Sequence, residues 1–163
     1  MPTIMRFRYD EMWQDYIGED LPAPGDIDRA RIEKVIGGRL PDAYWELLRV
    51  HQGQVLDAGA IPVPGAGDVI FGVLLLGLSP MMVGEDDSYS MESCWNAMRD
   101  HYPAGLLPFA DDTGGNYWAF DFRLTRDPPA IVFIDHEIEG DDGVIAVAPD
   151  FASFWAKWNG GTA

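Results

Sequence analysis

A chain of 163 residues, 47% of them apolar and 12% aromatic, is long enough to bury a core of its own and too apolar to remain disordered. Its formal charge of −16, from 27 acidic against 11 basic residues, opposes direct binding to a nucleic-acid backbone. A single cysteine, Cys94, excludes an internal disulfide and a cysteine-rich zinc site.

The N-terminal stretch carries arginines but no apolar leader core, and the longest apolar run, Val69 to Leu78, spans ten residues and contains Gly72 and Gly77. That is too short to cross a bilayer as a helix, so the expectation is a soluble cytoplasmic protein. Tyr9 to Ile17 predicts a short helix with Met12, Trp13, Tyr16 and Ile17 on one face, within an N-terminal extension over residues 1–25. Leu21-Pro22-Ala23-Pro24-Gly25 breaks it, and one domain is expected over 26–160. Asp26 or Asp28 is placed to cap a second helix, whose Ile32, Val35 and Ile36 make a narrow apolar face before Gly37-Gly38 ends it. A third helix opens at Pro41, with Tyr44, Leu47, Leu48 and His51 at helical spacing, and stops at Gln52-Gly53.

Val55 to Val63 reads as edge strand interrupted by Gly59 and Pro62, Pro64 to Asp68 as loop, and Val69 to Leu76 as one buried strand. Ser79-Pro80 resembles a helix start, and Glu85-Asp86-Asp87 a loop. Met91, Cys94, Trp95, Met98 and Tyr102 then form the clearest amphipathic stripe in the chain, a core face on which Cys94 is a buried thiol rather than a nucleophile. This helix, about Ser90 to Asp100, would be inserted between strands.

Leu106 to Phe122 predicts a hairpin: a strand entry with Pro108, a turn through Asp111, Asp112, Thr113, Gly114, Gly115 and Asn116, and a second strand. In that strand Trp118, Phe120 and Phe122 alternate with Tyr117, Ala119 and Asp121, so one face is wholly aromatic and belongs to the core. Arg123 to Pro129 is loop, Ala130 to Asp135 strand, Glu137 to Gly143 an acidic turn and Val144 to Val147 a short strand. Asp150 caps a last helix carrying Phe151, Phe154, Trp155 and Trp158. Helices at both ends with strands between describe a single α+β domain whose mainly antiparallel sheet has helices packed on one face.

Chemistry-bearing motifs are sparse. His51, His101 and His136 are scattered without metal-ligand spacing, and the neighbours Asp135, His136 and Glu137 would point to alternate faces of a strand. Gly114-Gly115 offers backbone N–H groups to an anion, but Asp111 and Asp112 beside it would repel phosphate. No enzyme activity, no cofactor and no metal are expected.

Several of these stretches recur in one known family. Leu106-Leu107-Pro108-Phe109-Ala110, the acidic Gly-Gly-Asn turn, the aromatic strand ending in Asp121-Phe122, Ile131 to Glu137, Leu40-Pro41-Asp42-Ala43-Tyr44-Trp45 and the helix opening at Asp150-Phe151 stand in order from Asp26 to Trp158. Together they resemble the SUKH superfamily, the SMI/KNR-type fold. One departure is His51-Gln52-Gly53 where the family usually has Asn-Gly-Gly. The resemblance implies a cytoplasmic bacterial immunity protein that binds and neutralises a cognate polymorphic toxin, often a nuclease. The alternative it implies is a regulatory or scaffolding interaction module without a toxin partner, as in fungal members, and a hydrolase is the third reading.

The distribution of charge agrees with a basic partner independently. No Lys or Arg occurs from Gln52 to Met98 or from Asp127 to Ala156. Such runs read either as a solubilising shell or as a negative face that speeds encounter with a basic surface. On the second reading the partner-binding residues are Glu85, Asp86 and Asp87, Asp111 and Asp112, and Glu137, Glu139, Asp141 and Asp142, all expected to be exposed in turns. The expected partner is a basic protein toxin domain, with no membrane and no direct nucleic-acid contact.

Overall fold

Alternation in the second strand of the central hairpin organises the computed structural model, which describes residues 12–17 and 20–159. Strands β1 (Gln14–Asp15), β2 (Gln54–Leu56), β5 (Gly72–Leu74), β6 (Leu106–Asp111), β7 (Tyr117–Asp121), β8 (Ala130–Ile134) and β9 (Val144–Ala148) form one antiparallel sheet in that spatial order. A separate hairpin pairs β3 (Ile61–Val63) with β4 (Gly67–Val69). The described helices are α1 (Asp26–Ile36), α2 (Asp42–His51), α3 (Pro80–Val83), α4 (Met91–Met98) and α5 (Phe151–Ala156), with 3-10 turns at Gly84–Tyr89 and Asp141–Gly143. The domain is α+β, as its sequence implies, and no described helix is long and apolar enough to cross a membrane.

Trp118 and Phe120 of β7, with Phe122 just beyond it, point to one face and are buried there. Phe120 stacks on Phe109 at 4.4 Å between centroids and meets Tyr44 of α2 edge-on at 4.8 Å. Trp118 meets Phe154 of α5 at 5.2 Å and donates its indole N–H to the Phe71 carbonyl at 2.9 Å, which satisfies its one polar atom. Phe154 and Trp155 are buried with them, whereas Trp95 is half-buried at the core's margin. On the other face Ala119, Leu106, Val132 and Ile134 pack with Met98 of α4. The helix expected as an insertion therefore serves both sides, with Met91 and Cys94 in the principal core and Met98 on the opposite face.

Two local expectations change. Residues 12–17 of the expected first helix form a turn and β1, which pairs Gln14 with Val55 and Asp15 with Gln54; Tyr9 to Glu11 lie outside the described residues. Pairing with the edge of β2 overrides the local period, and Trp13 is buried against the His51 ring at 4.5 Å. The run Val69 to Leu76 is likewise not one strand, because the chain turns between β4 and β5. Gly72 opens β5 at φ +86, and a Cβ there would stand 2.0 Å from the Asp111 carbonyl oxygen, so only glycine fits.

Helix ends follow their chemistry. Gly25 is the N-cap of α1, and Asp28 reaches back from inside the helix to accept its N–H at 2.9 Å, so neither Asp26 nor Asp28 is itself the cap residue. Asp150 caps α5 through the Ser153 N–H, and Ser90 caps α4 through the Ser93 N–H. At the unusual His51-Gln52-Gly53 the turn is kept. Gln52 accepts from the Gly77 N–H and donates to the Pro22 carbonyl, while Gly53 donates to Leu74.

Phe120 is fully buried among four aromatic rings. Phe120→Ala is expected to lower unfolding stability by about 3 to 5 kcal/mol in a denaturant titration. An unchanged midpoint would contradict its place in the core.

Candidate functional site

The acidic segments differ in what their side chains do. Glu85, Asp86 and Asp87 lie in the 3-10 turn between α3 and α4, with Glu85 and Asp87 exposed and Asp86 half-buried. Glu137, Glu139, Asp141 and Asp142 are exposed in the β8–β9 connection. Among the described residues Glu85, Asp86, Asp87, Glu137 and Asp142 have no ion-pair partner. Asp141 pairs with Arg123 at 2.9 Å and Glu139 contacts His101 at 3.1 Å.

Asp111 and Asp112 are not exposed as expected. Asp112 is buried, and its carboxylate accepts from the Gly114 N–H at 2.8 Å, the Asn116 N–H at 3.0 Å and the Asn116 side-chain amide at 2.9 Å. Asp111 is half-buried and accepts from the Thr113 N–H at 2.7 Å. The Thr113, Gly114 and Asn116 amides of this turn are thus taken by the chain's own carboxylates, and Asp111 and Asp112 build the turn. The pattern of an aspartate followed by Gly at i+2 and Asn at i+4 is the sequence signal for this role.

Asn116 carries the turn's order across to the next connection. With its amide nitrogen committed to Asp112, its oxygen accepts from the His136 backbone N–H at 3.0 Å and lies 2.7 Å from His136 Nδ1. Gly115, at φ +95, leaves room for that imidazole, since a Cβ would come within 3.2 Å of it. Beyond His136 the connection folds back over the α4 side of the sheet: Gly140 donates to the His101 carbonyl and the Tyr102 hydroxyl to the Asp135 carbonyl, each at 2.8 Å.

This folding encloses a cleft of about 290 Å³ lined by Ala97, Met98, His101, Tyr102, Tyr117, Ile134, His136 and Glu139. Two histidines scattered in the sequence are brought together here. Among the described residues no three His, Cys, Asp or Glu side chains are arranged to hold a metal ion. Exposed apolar side chains also lie within the acidic segments. Met81 and Met82, 93% and 63% exposed, directly precede the 85–87 turn, and Ile138 stands between Glu137 and Glu139 at 43%. An isolated Ile between two Glu residues, and a Met pair in a one-turn helix closed by Gly84, are visible in the sequence as apolar residues that no helical or strand period explains.

Cys94 is buried, and burial pushes its thiol up to about 11, opposed by a hydrogen bond with Tyr117 and reinforced by Asp111. An inert thiol fits that environment.

Comparison with known families matches the SMI1 / KNR4 family (SUKH-1) over residues 24–157, from just before α1 to just past α5. Among curated proteins none matches the chain significantly.

Two tests follow from this geometry. Burial raises the Asp111 carboxyl above its ordinary value near 3.8, against the Thr113 hydrogen bond and with help from Asp112. Since the folded value exceeds the unfolded one, this group's contribution to stability is fully present below the unfolded pKa and is lost as pH rises through the folded one. Asp111→Asn keeps an acceptor for Thr113 and removes the charge, so its melting temperature at pH 7 should exceed wild type by about 1 to 2 °C, with the gap closing at pH 3. A lower melting temperature at pH 7 would show that the charge itself holds the turn. For Cys94, alkylation by iodoacetamide at pH 8.5 should run at least about tenfold slower in the native protein than in urea; equal rates would place the thiol at the surface.

Proposed function

From the premise that the chain belongs to the SMI1/KNR4 family (SUKH-1), we propose that it is a cytoplasmic immunity protein, a non-catalytic binder that neutralises a basic toxin domain. One observation supports this most directly: Glu85, Asp86, Asp87, Glu137 and Asp142, which have no ion-pair partner among the described residues, share the segments 81–87 and 137–142 with the exposed apolar Met81, Met82 and Ile138. A nuclease needs a basic face for its substrate, and a negative protein surface of this kind is complementary to it. The charges act mainly on encounter, while Met81, Met82 and Ile138 supply contacts that resist dissociation. Methionine suits the second task because its flexible thioether adapts to a partner's contours.

Division of labour among the acids selects the variant. Glu137, Glu139 and Asp142 can be neutralised without touching the Arg123–Asp141 pair or the turn built by Asp111 and Asp112. In the triple variant Glu137→Gln, Glu139→Gln, Asp142→Asn, association with a cognate basic toxin domain should slow several-fold and lose much of its salt dependence, with the melting curve unchanged. Stopped-flow kinetics at two salt concentrations read this, alongside co-expression in a toxicity assay. If co-expression gives no protection, the immunity reading falls and a regulatory module takes its place. Protection with salt-independent association would instead remove the electrostatic surface.

A further inference from the structure

The hydrogen bonds around the 290 Å³ cleft fix what it offers a ligand. Asn116 Oδ1 is an acceptor, so the contact at 2.7 Å requires His136 Nδ1 to be the donor. In the neutral ring Nε2 is then an acceptor. His101 Nδ1 likewise faces the Glu139 carboxylate at 3.1 Å and must donate, so in the neutral ring its Nε2 is an acceptor too. The polar rim thus consists of two imidazole acceptors and a carboxylate that keeps a second oxygen. Below it, Met98 and Ile134 give an apolar floor flanked by Tyr117. At about 290 Å³ the space lies at the small end of ligand sites, which run from roughly 300 to 1,000 Å³, and suits one side chain better than a cofactor.

We propose that this cleft is the anchor pocket for an arginine side chain of the partner. A guanidinium is all donor, always charged and planar, which answers an acceptor-only rim with aromatic walls. Its aliphatic stem covers the Met98–Ile134 floor. A carboxylate ligand would face Glu139 and two acceptors, and an apolar one would leave the rim unpaired. The inference rests on the basic-partner reading for where the arginine comes from, and on the cleft alone for the chemistry.

The probe is the capped tripeptide acetyl-Gly-Arg-Gly-amide, titrated into the full chain and followed by methyl NMR of Met98 and Ile134. Its neutral counterpart, with citrulline for arginine, has the same shape. Saturable shifts at both methyls are expected, about tenfold weaker with citrulline, and absent in Ala97→Trp, where an exposed residue on the lip is enlarged to fill the cleft. Its melting curve controls for folding, and Glu139→Gln, which changes no volume, should weaken the arginine peptide alone. No shift, equal shifts from both peptides, or shifts retained in Ala97→Trp would each overturn the pocket. Toxin protection is scored separately. Protection undiminished in Ala97→Trp with a silent titration removes the pocket alone, whereas a positive titration without protection removes the immunity reading and leaves the pocket standing.

Discussion

One strand constrains everything around it. Because successive side chains in a strand point to opposite faces, committing Trp118 and Phe120 to the aromatic core commits Tyr117 and Ala119 to the other side. The first set needs partners of its own size, which α2 and α5 supply through Tyr44, Phe151 and Phe154. The second set presents a small residue, Ala119, beside Leu106 and Ile134, a shallow surface onto which α4 lays Met98. A slip of one residue in β7 would exchange the two faces and lose both packings, so register is strongly specified there. The cleft inherits its floor from this alternation, since Tyr117 and Ile134 are register partners in adjacent strands and face the same way.

Order then passes outward through polar contacts. Asp112, a buried carboxylate with three hydrogen bonds, fixes the Asn116 amide, and Asn116 fixes the His136 ring. Each link is directional: the carboxylate accepts only, so the amide must present its nitrogen to Asp112 and its oxygen to His136. A residue expected to be exposed is therefore two hydrogen bonds behind an exposed imidazole, whose Nδ1 it sets as the donor. Buried polar networks of this type specify one arrangement because every alternative leaves a donor or acceptor unpaired.

How much of this could be read without coordinates depends on the range of the interaction. Period-2 alternation in β7, the helical stripe of Met91, Cys94 and Met98, and the Asp150 cap are local, and each is where the pattern places it. The family resemblance was legible for the same reason, carried by short contiguous motifs. Non-local pairing was not. Gln14 and Asp15 become a strand only because Val55 and Gln54 lie beside them, forty residues away in sequence. His101 and His136 line one cleft because Gly140 and Asp135 tie the β8–β9 connection to His101 and Tyr102. Exposure was overestimated for Asp111 and Asp112 because turn residues are usually exposed, whereas here the turn is closed by its own carboxylates.

The surplus of negative charge also has a physical reading. Arg29, Arg31, Arg39 and Arg123 are each held in ion pairs, Arg99 lies over the Trp95 ring at 4.2 Å, and Arg126 donates to the Gly37 carbonyl. The cations are thus largely engaged near α1, α2 and the end of β7, and among the described residues only Asp141, through Arg123, is reached by an arginine in the segments at 85–87 and 137–142. Exposed ion pairs contribute only about 0 to 1 kcal/mol, so adding basic residues there would gain little stability. Leaving them out keeps like charges together, and like charges repel within roughly a Debye length, about 8 Å at physiological salt. A folded chain carries that repulsion as a small continuing penalty, which a cationic surface laid against it relieves. Exposed methionines and an isoleucine placed among those same acids add an apolar gain that water alone cannot provide. Solubility would be served equally by acids spread evenly over the surface, whereas Glu85, Asp86, Asp87, Glu137 and Asp142 stand without ion-pair partners among the described residues and have exposed apolar side chains in the same segments.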